Sequence, residues 1–203
     1  MFDLPKSTEI RKPIHKKLIY QKFPAELNGE KRKRFDEDIS RITVTNEISE
    51  KSINIRPTDE VSSIFVIQIE LKSKEYNDRN IALVSKLFGQ KLLLVLHVDG
   101  EYQLAIYETQ LLKSEWKKEA EIKLRIDGLD LGTVWNNLVT AVSGISAQDG
   151  NTLSEQIGIE AEKERLKKII VELERKARKE VQSKRKFELH RQIGEYKKRL
   201  EVM

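Results

Sequence analysis

The residues with the clearest capacity for chemistry are an acid and a lysine two positions apart. Glu70 and Lys72 end an apolar stretch that predicts a β-strand, and period-two alternation places both side chains on one face. In metal-dependent nucleases of the Asp…Glu-x-Lys type, two acids hold Mg²⁺ while the lysine positions or activates the attacking water. Asp59 is the upstream candidate for the second acid, and Asp36 or Asp38 would substitute for it. The alternative is an exposed Glu and Lys at a strand end.

A second candidate site is a concentration of positive charge in the last quarter of the chain. Residues 1–150 hold 23 basic and 23 acidic side chains, whereas residues 151–203 hold 15 and 10. A basic surface neutralises phosphates, so this segment is a candidate nucleic-acid-binding surface, with a solvated helical surface as the alternative. The candidate nucleic-acid-binding residues are Arg175, Lys176, Arg178, Lys179, Lys184, Arg185, Lys186 and Arg191.

Apolar residues in the same segment recur at the four-three-four spacing of a coiled-coil seam. The first set runs from Leu166 to Ala177 and the second from Leu189 to Leu200, and the two sets are out of phase. We therefore predict a turn near residues 180–184 and an antiparallel helical hairpin, with one long helix facing a partner chain as the alternative. The candidate partner-binding residues are Leu166, Ile170, Leu173, Leu189, Ile193 and Leu200, and the expected partner is another protein or a second copy.

The remainder of the chain predicts an α+β sheet domain. The expected architecture is a mixed sheet of about five strands with flanking helices, followed by a C-terminal helical hairpin or coiled coil. The predicted strands are 39–44, 64–72, 91–98, 102–107 and 122–126, and the predicted helices are 14–20, 30–38, 77–88 and 131–142. The predicted organisation is a sheet domain over residues 1–145, a linker over 146–152 and the basic helices over 153–203.

Composition narrows the range of functions. The chain of 203 residues has no cysteine, and its three histidines fall in different predicted elements. It carries no Walker or dinucleotide fingerprint, so no cofactor and no metal is expected. No apolar run approaches the roughly 18 residues of a membrane span, and the N-terminus has no signal pattern. We expect a cytoplasmic protein with no membrane partner.

Several segments resemble one family. The opening Leu4-Pro5-Lys6-Ser7-Thr8-Glu9-Ile10, the strands at residues 65–72 and 91–98, and the basic run 176–180 look like an uncharacterised bacterial family. That family is the domain of unknown function numbered forty-three ninety-one, and the resemblance spans nearly the whole chain. It implies no established activity. It does imply a role beside DNA-processing enzymes, namely helicases and methyltransferases of restriction or phage-defence gene clusters.

These observations favour a non-catalytic accessory or interaction protein of unknown biochemical activity over an enzyme. The first alternative is a nucleic-acid-binding protein that uses the basic C-terminal helices. The second alternative is a Mg-dependent nuclease centred on Glu70 and Lys72.

Overall fold

A computed structural model of the chain describes residues 2–147 and 150–203. The chain divides into two compact units, Met1–Ile145 and Ser146–Met203. Two residues of the predicted linker, Gln148 and Asp149, lie outside the described residues. No helix in the described part of the chain is long and apolar enough to cross a membrane.

The first unit is built around a mixed β-sheet. Its strands are β1 (Glu9–Pro13), β2 (Ile39–Ser49), β3 (Ser63–Leu71), β4 (Lys91–Val98), β5 (Glu101–Tyr107), β6 (Leu111–Lys113) and β7 (Lys117–Lys118). Strands β1 to β6 lie side by side in chain order, and β7 pairs with β5. Strands β3 and β4 are parallel, whereas the other pairs are antiparallel. The predicted α+β class is confirmed, with seven strands rather than about five.

Helices lie over the sheet and bury its apolar residues. They are α1 (Lys16–Lys22), α2 (Gly29–Asp38), α3 (Glu50–Ile53), α4 (Asp78–Ser85) and α5 (Leu131–Ser143). Ile19 of α1, Phe35 of α2 and Ile81 of α4 are fully buried in one core cluster with Ile67 and Leu94 of the central strands. Helix α5 contacts β3, β5 and β6 and buries its own apolar stripe.

The turn between β4 and β5 follows from two residues. Asp99 and Gly100 both have positive φ, +50° and +79°, and they connect the paired residues Val98 and Glu101. A two-residue turn with both central φ values positive matches the twist of the adjoining strands, and Asp-Gly is a preferred sequence for it. The predicted hairpin is confirmed.

Two local predictions are wrong. Residues 122–126 form no strand, although Ile122 and Leu124 are buried, because the Leu124 N–H donates to the Phe2 carbonyl at 3.1 Å rather than to a neighbouring strand. Helix α4 ends at Ser85, before Phe88, and a turn carries the chain into β4. Alternating apolar residues indicate that one side of a segment is buried. Burial alone does not require that segment to pair with a strand.

The second unit is a helical hairpin of α6 (Leu153–Lys179) and α7 (Ser183–Val202). Three residues, 180–182, connect the helices. Ile170, Ala177 and Ile193 are buried between them, and the half-buried residues packed around these three are Leu173, Leu189, Tyr196 and Leu200. The predicted helical hairpin is therefore confirmed over the alternative of one long helix. The two seams differ in phase because they lie on two helices.

Candidate functional site

Glu70 lies in a polar network on the sheet. Its partner in register on the parallel neighbour β4 is His97, whose Nδ1 lies 2.6 Å from Glu70 Oε2. The Gln68 side-chain amide donates to the other carboxylate oxygen. The His97 ring is stacked on Tyr102 of β5, with ring centroids 4.4 Å apart. Both oxygens of the Glu70 carboxylate are therefore engaged by neighbouring side chains of the sheet.

Tyr102 connects this network to the N-terminal segment. Phe2 packs edge-on against the Tyr102 ring at 5.3 Å, and Phe2 itself is buried. Burial raises the pKa of Tyr102, and the negative charges of Glu119 and Glu70 raise it further. A carboxylate held against Nδ1 orients an imidazole for proton exchange at Nε2, which is the chemistry this network can perform.

The other two nuclease candidates are Asp59 and Lys72. Asp59 lies apart from Glu70, and Lys72 lies outside β3. Asp59 is exposed and precedes β3, whereas Glu70 lies seven residues beyond the first residue of that strand, about 23 Å along it at roughly 3.3 Å per residue. Lys72 is exposed just after β3, and its backbone N–H donates to the Asp38 carbonyl at 2.9 Å. The structure does not bring Asp59 to Glu70. In residues 2–147 and 150–203, no group of three or more acids and histidines is arranged to hold a metal ion.

The substitute acids are occupied in joining helices. Asp38 accepts hydrogen bonds from the backbone N–H of Asn77, at 2.9 Å, and from the Asn80 side chain, at 2.7 Å. Asp36 accepts from Lys16 at 2.8 Å and from the Tyr20 hydroxyl at 2.5 Å. Burial alone would raise the pKa of Asp36, but the hydrogen bonds from Lys16 and Tyr20 outweigh it and lower that pKa.

The seam residues predicted to bind a partner are used within the hairpin. Ile170 and Ile193 are buried against each other's helices, and Leu173, Leu189 and Leu200 pack around them. Leu166 is buried as well. The five seam residues of this cluster stabilise the hairpin itself, so the seam is not an open apolar surface there.

The turn end of the hairpin, residues 175–191, carries most of its positive charge. This segment holds eight basic and two acidic residues, and all eight basic residues are exposed. Lys176 pairs with Glu172 at 2.9 Å, and Arg191 pairs with Glu188. In the described part of the chain, six of the basic residues have no acidic partner within ion-pair distance. These six residues are Arg175, Arg178, Lys179, Lys184, Arg185 and Lys186.

Away from the turn, five of the seven basic side chains of the hairpin are paired in the described residues. Lys197 contacts Glu174 at 2.8 Å and Arg199 contacts Glu162 at 3.0 Å, so both ion pairs join α7 to α6. On α6 itself, three basic residues each pair with a glutamate three positions earlier. These three residues are Lys163, Arg165 and Lys167. The unpaired positive charge is therefore concentrated at the turn end.

The first turn of α7 carries basic residues at the end of the helix where the helix dipole is also positive. Lys184, Arg185 and Lys186 follow the first helical residue, no acid lies in that turn, and Gln182 makes no side-chain cap. A helix N-terminus carries partial positive charge, which favours acids there and disfavours lysine and arginine. The helix dipole therefore does not favour these three residues at this position.

The fold and the hairpin together define an α+β sheet protein with a basic C-terminal helical hairpin. The chain belongs to the family described as a domain of unknown function (DUF4391), whose model matches residues 2–200. The resemblance stated from the sequence is thereby confirmed, and it extends over both units. Searches of curated proteins and of solved structures found no match to the chain.

Sequence reasoning missed the partners of Glu70. His97 and Tyr102 were separate residues in separate predicted strands, and only the register of the parallel pair β3 and β4 places His97 beside Glu70. One signal was present, because Glu70 and His97 each stand next to the last residue of an apolar strand. Neighbouring parallel strands that end together place such residues side by side.

Proposed function

We propose that this chain is a non-catalytic accessory protein that binds nucleic acid through the turn end of its C-terminal hairpin. The observation that carries the proposal is the set of six exposed basic side chains without ion-pair partners in the described residues. These side chains need not break an intramolecular ion pair to contact a phosphate. The paired basic residues away from the turn would have to do so.

The expected mode of binding is contact with the phosphate backbone. Each lysine or arginine that neutralises a duplex phosphate releases condensed counterions, so affinity falls steeply with salt. Six contacts would lower the affinity about a thousandfold between 50 and 200 mM salt. Lysine and arginine contacts to phosphate fix position without reading sequence, so we expect little preference among sequences.

The test compares two triple substitutions that remove the same charge. One variant is Lys184→Gln with Arg185→Gln and Lys186→Gln, and the matched control is Lys163→Gln with Arg165→Gln and Lys167→Gln. Glutamine is a good helix former, so both variants should keep the hairpin. Fluorescence anisotropy with labelled DNA and RNA should show affinity at least tenfold weaker for the turn variant and nearly unchanged for the control. Equal affinities for both variants would contradict the proposal.

A protein partner is the second candidate, and two exposed apolar side chains favour it. Val181 is 92% exposed and Phe187 is 72% exposed, both within the basic turn end. Because the seam is buried within one chain, a partner or a second copy would use this outer surface. The family resemblance supports a partner among bacterial DNA-processing enzymes. Light scattering tests the second copy directly, since Phe187→Ala should abolish a dimer formed through this surface.

A nuclease centred on Glu70 and Lys72 is the remaining alternative. The same DNA and RNA samples test it. The separation of Asp59 from Glu70 and the engagement of both Glu70 oxygens by Gln68 and His97 argue against it. Incubation with Mg²⁺ should leave the DNA and RNA intact. Metal-dependent cutting that Glu70→Gln abolishes, with the fold retained by circular dichroism, would replace our proposal with the nuclease.

A further inference from the structure

The first unit contains an open apolar groove lined by residues of β1, β2, β3 and α1. Its volume is about 670 Å³, within the range of roughly 300 to 1,000 Å³ typical of small-molecule sites. Val44 of β2 and Phe65 of β3 contribute sheet residues to it, and α1 contributes Leu18. The other apolar lining residues are Ile10, Pro13, Ile14 and Phe88.

Two of the apolar side chains that line the groove are exposed. Leu18 is 48% exposed and Phe88 is 39% exposed, although most large apolar residues of this unit are buried in the core. The Phe65 and Phe88 rings lie 6.1 Å apart with their planes tilted, so they do not stack closely on each other. Apolar surface that is both concave and exposed favours binding of an apolar group.

The charged residues that line the groove are mainly positive. Lys12 of β1 and Lys17 of α1 are exposed, and neither has an acidic partner within ion-pair distance among residues 2–147 and 150–203. Exposed His15 lies between them in sequence, and half-buried Glu47 is the one acid that lines the groove in the described chain. Two lysines against one glutamate give the groove a net positive charge.

We propose that this groove binds a small amphiphile with an apolar chain and an anionic head group such as a carboxylate. The chain would lie over Val44, Phe65 and Phe88, and the head group would contact Lys12 and Lys17. The apolar lining supplies most of the affinity, and the lysines select the sign of the head group. This site lies in the first unit and does not depend on the hairpin.

The probes are two amphiphiles that share a ten-carbon chain, decanoate and decyltrimethylammonium, each titrated below its micelle concentration. Calorimetric titration of the full chain should show tighter binding of decanoate. Shortening decanoate to octanoate removes two methylenes, which should weaken binding about tenfold. Tighter binding of the ammonium compound, or no binding of decanoate, would overturn the proposal.

Variants assign the binding to the groove. Lys12→Gln with Lys17→Gln should weaken decanoate binding about tenfold, and Glu47→Gln should strengthen it because a like charge is removed. Phe88→Ala tests the apolar lining at a partly exposed position, where loss of fold is not expected. Lys123→Gln, an exposed lysine outside the groove, is the matched control. Decanoate binding that is the same in all four variants would overturn the proposal, as would a groove filled by a second copy in light scattering.

Discussion

The sheet unit and the hairpin use the same types of charged residue differently. In the sheet unit, Glu108 accepts hydrogen bonds from Lys91 at 2.9 Å and from the Trp135 indole at 2.6 Å, which joins β4 to α5. At the turn end of the hairpin, six basic side chains have no ion-pair partner in the described chain. The contacts of Glu108 join elements of the sheet unit, whereas these six basic side chains make no ion pair with an acid in the described residues.

The two units also differ in the size of their apolar cores. Among the described residues, one core cluster of the sheet unit contains 18 buried residues, whereas the cluster of the hairpin contains three. Because apolar burial is the main favourable term in folding, core substitutions should cost more in the sheet than in the hairpin.

The largest effect is expected from the sheet core. Phe35→Ala removes a fully buried ring and should lower the free energy of unfolding by about 3 to 5 kcal/mol. Urea denaturation measures it. Leu129→Ala is the control in the same unit, because that side chain is 86% exposed, and it should change the free energy of unfolding by less than about 0.5 kcal/mol. Similar losses for both variants would contradict the assignment of the core.

A smaller effect is expected from the hairpin core. Ile193→Ala truncates the buried side chain of α7 and should cost about 2 kcal/mol, the lower end of the range for such truncations, because the hairpin cluster is small in the described residues. Thermal melting followed by helical circular dichroism measures it. Val202→Ala, at an 89% exposed position of α7, serves as the comparison and should melt like the unchanged protein.

Gln182→Asp should separate hairpin stability from nucleic-acid binding. An aspartate at the uncapped N-terminus of α7 should stabilise the hairpin by about 0.5 to 1 kcal/mol through capping and the helix dipole. The same negative charge, beside Lys184 and Arg185, should weaken DNA binding. Thermal melting and anisotropy are measured on one preparation. Tighter DNA binding in the more stable variant would contradict the role given to the turn end.

A pH dependence of stability is also expected within the sheet unit. Burial, followed by the hydrogen bond to Asp36, raises the pKa of Tyr20 from 10.0 to about 12. A raised pKa means that the folded state favours the neutral phenol. Its stabilising contribution is therefore complete below about pH 10 and is lost as the pH rises through about 12.

Denaturation in alkaline buffers measures this loss, and Tyr20→Phe should reduce the dependence on pH. Asp36 should show the opposite sign, because its pKa is lowered: its contribution is present above its ordinary pKa and is lost as the pH falls through the lowered value. An unchanged alkaline dependence in Tyr20→Phe would show that another group is responsible.

Strong periodic patterns predicted the central elements of the fold. Strand β4 has the predicted bounds, 91–98, because a continuous apolar run between turn residues specifies a buried strand. Strand β1 was missed because its pattern is weak: it contains Arg11 at a φ of +45°, a shift in register and a terminal Pro13. Short edge strands take their form from neighbours, which the local sequence does not reveal.

The sequence predicted which types of residue form the candidate sites, but it predicted their arrangement only in part. The basic run at residues 175–191 is visible in the sequence. The sequence does not show which other basic residues are paired, since the ion pairs of Lys197 and Arg199 depend on how α7 lies against α6. The seam spacing identified the hairpin residues and left open whether they face a partner. Their burial within one chain came from the turn at residues 180–182, which contains neither glycine nor proline.

The most direct test of the proposed function is the dependence of duplex DNA affinity on salt concentration. For the unchanged protein, the logarithm of the affinity should fall with the logarithm of salt concentration with a slope of about −5, as six phosphate contacts require. The triple substitution at Lys184, Arg185 and Lys186 should make that slope shallower by about three, and the control triple at Lys163, Arg165 and Lys167 should leave it unchanged. A slope near zero for the unchanged protein, or the same slope for all three proteins, would contradict the account.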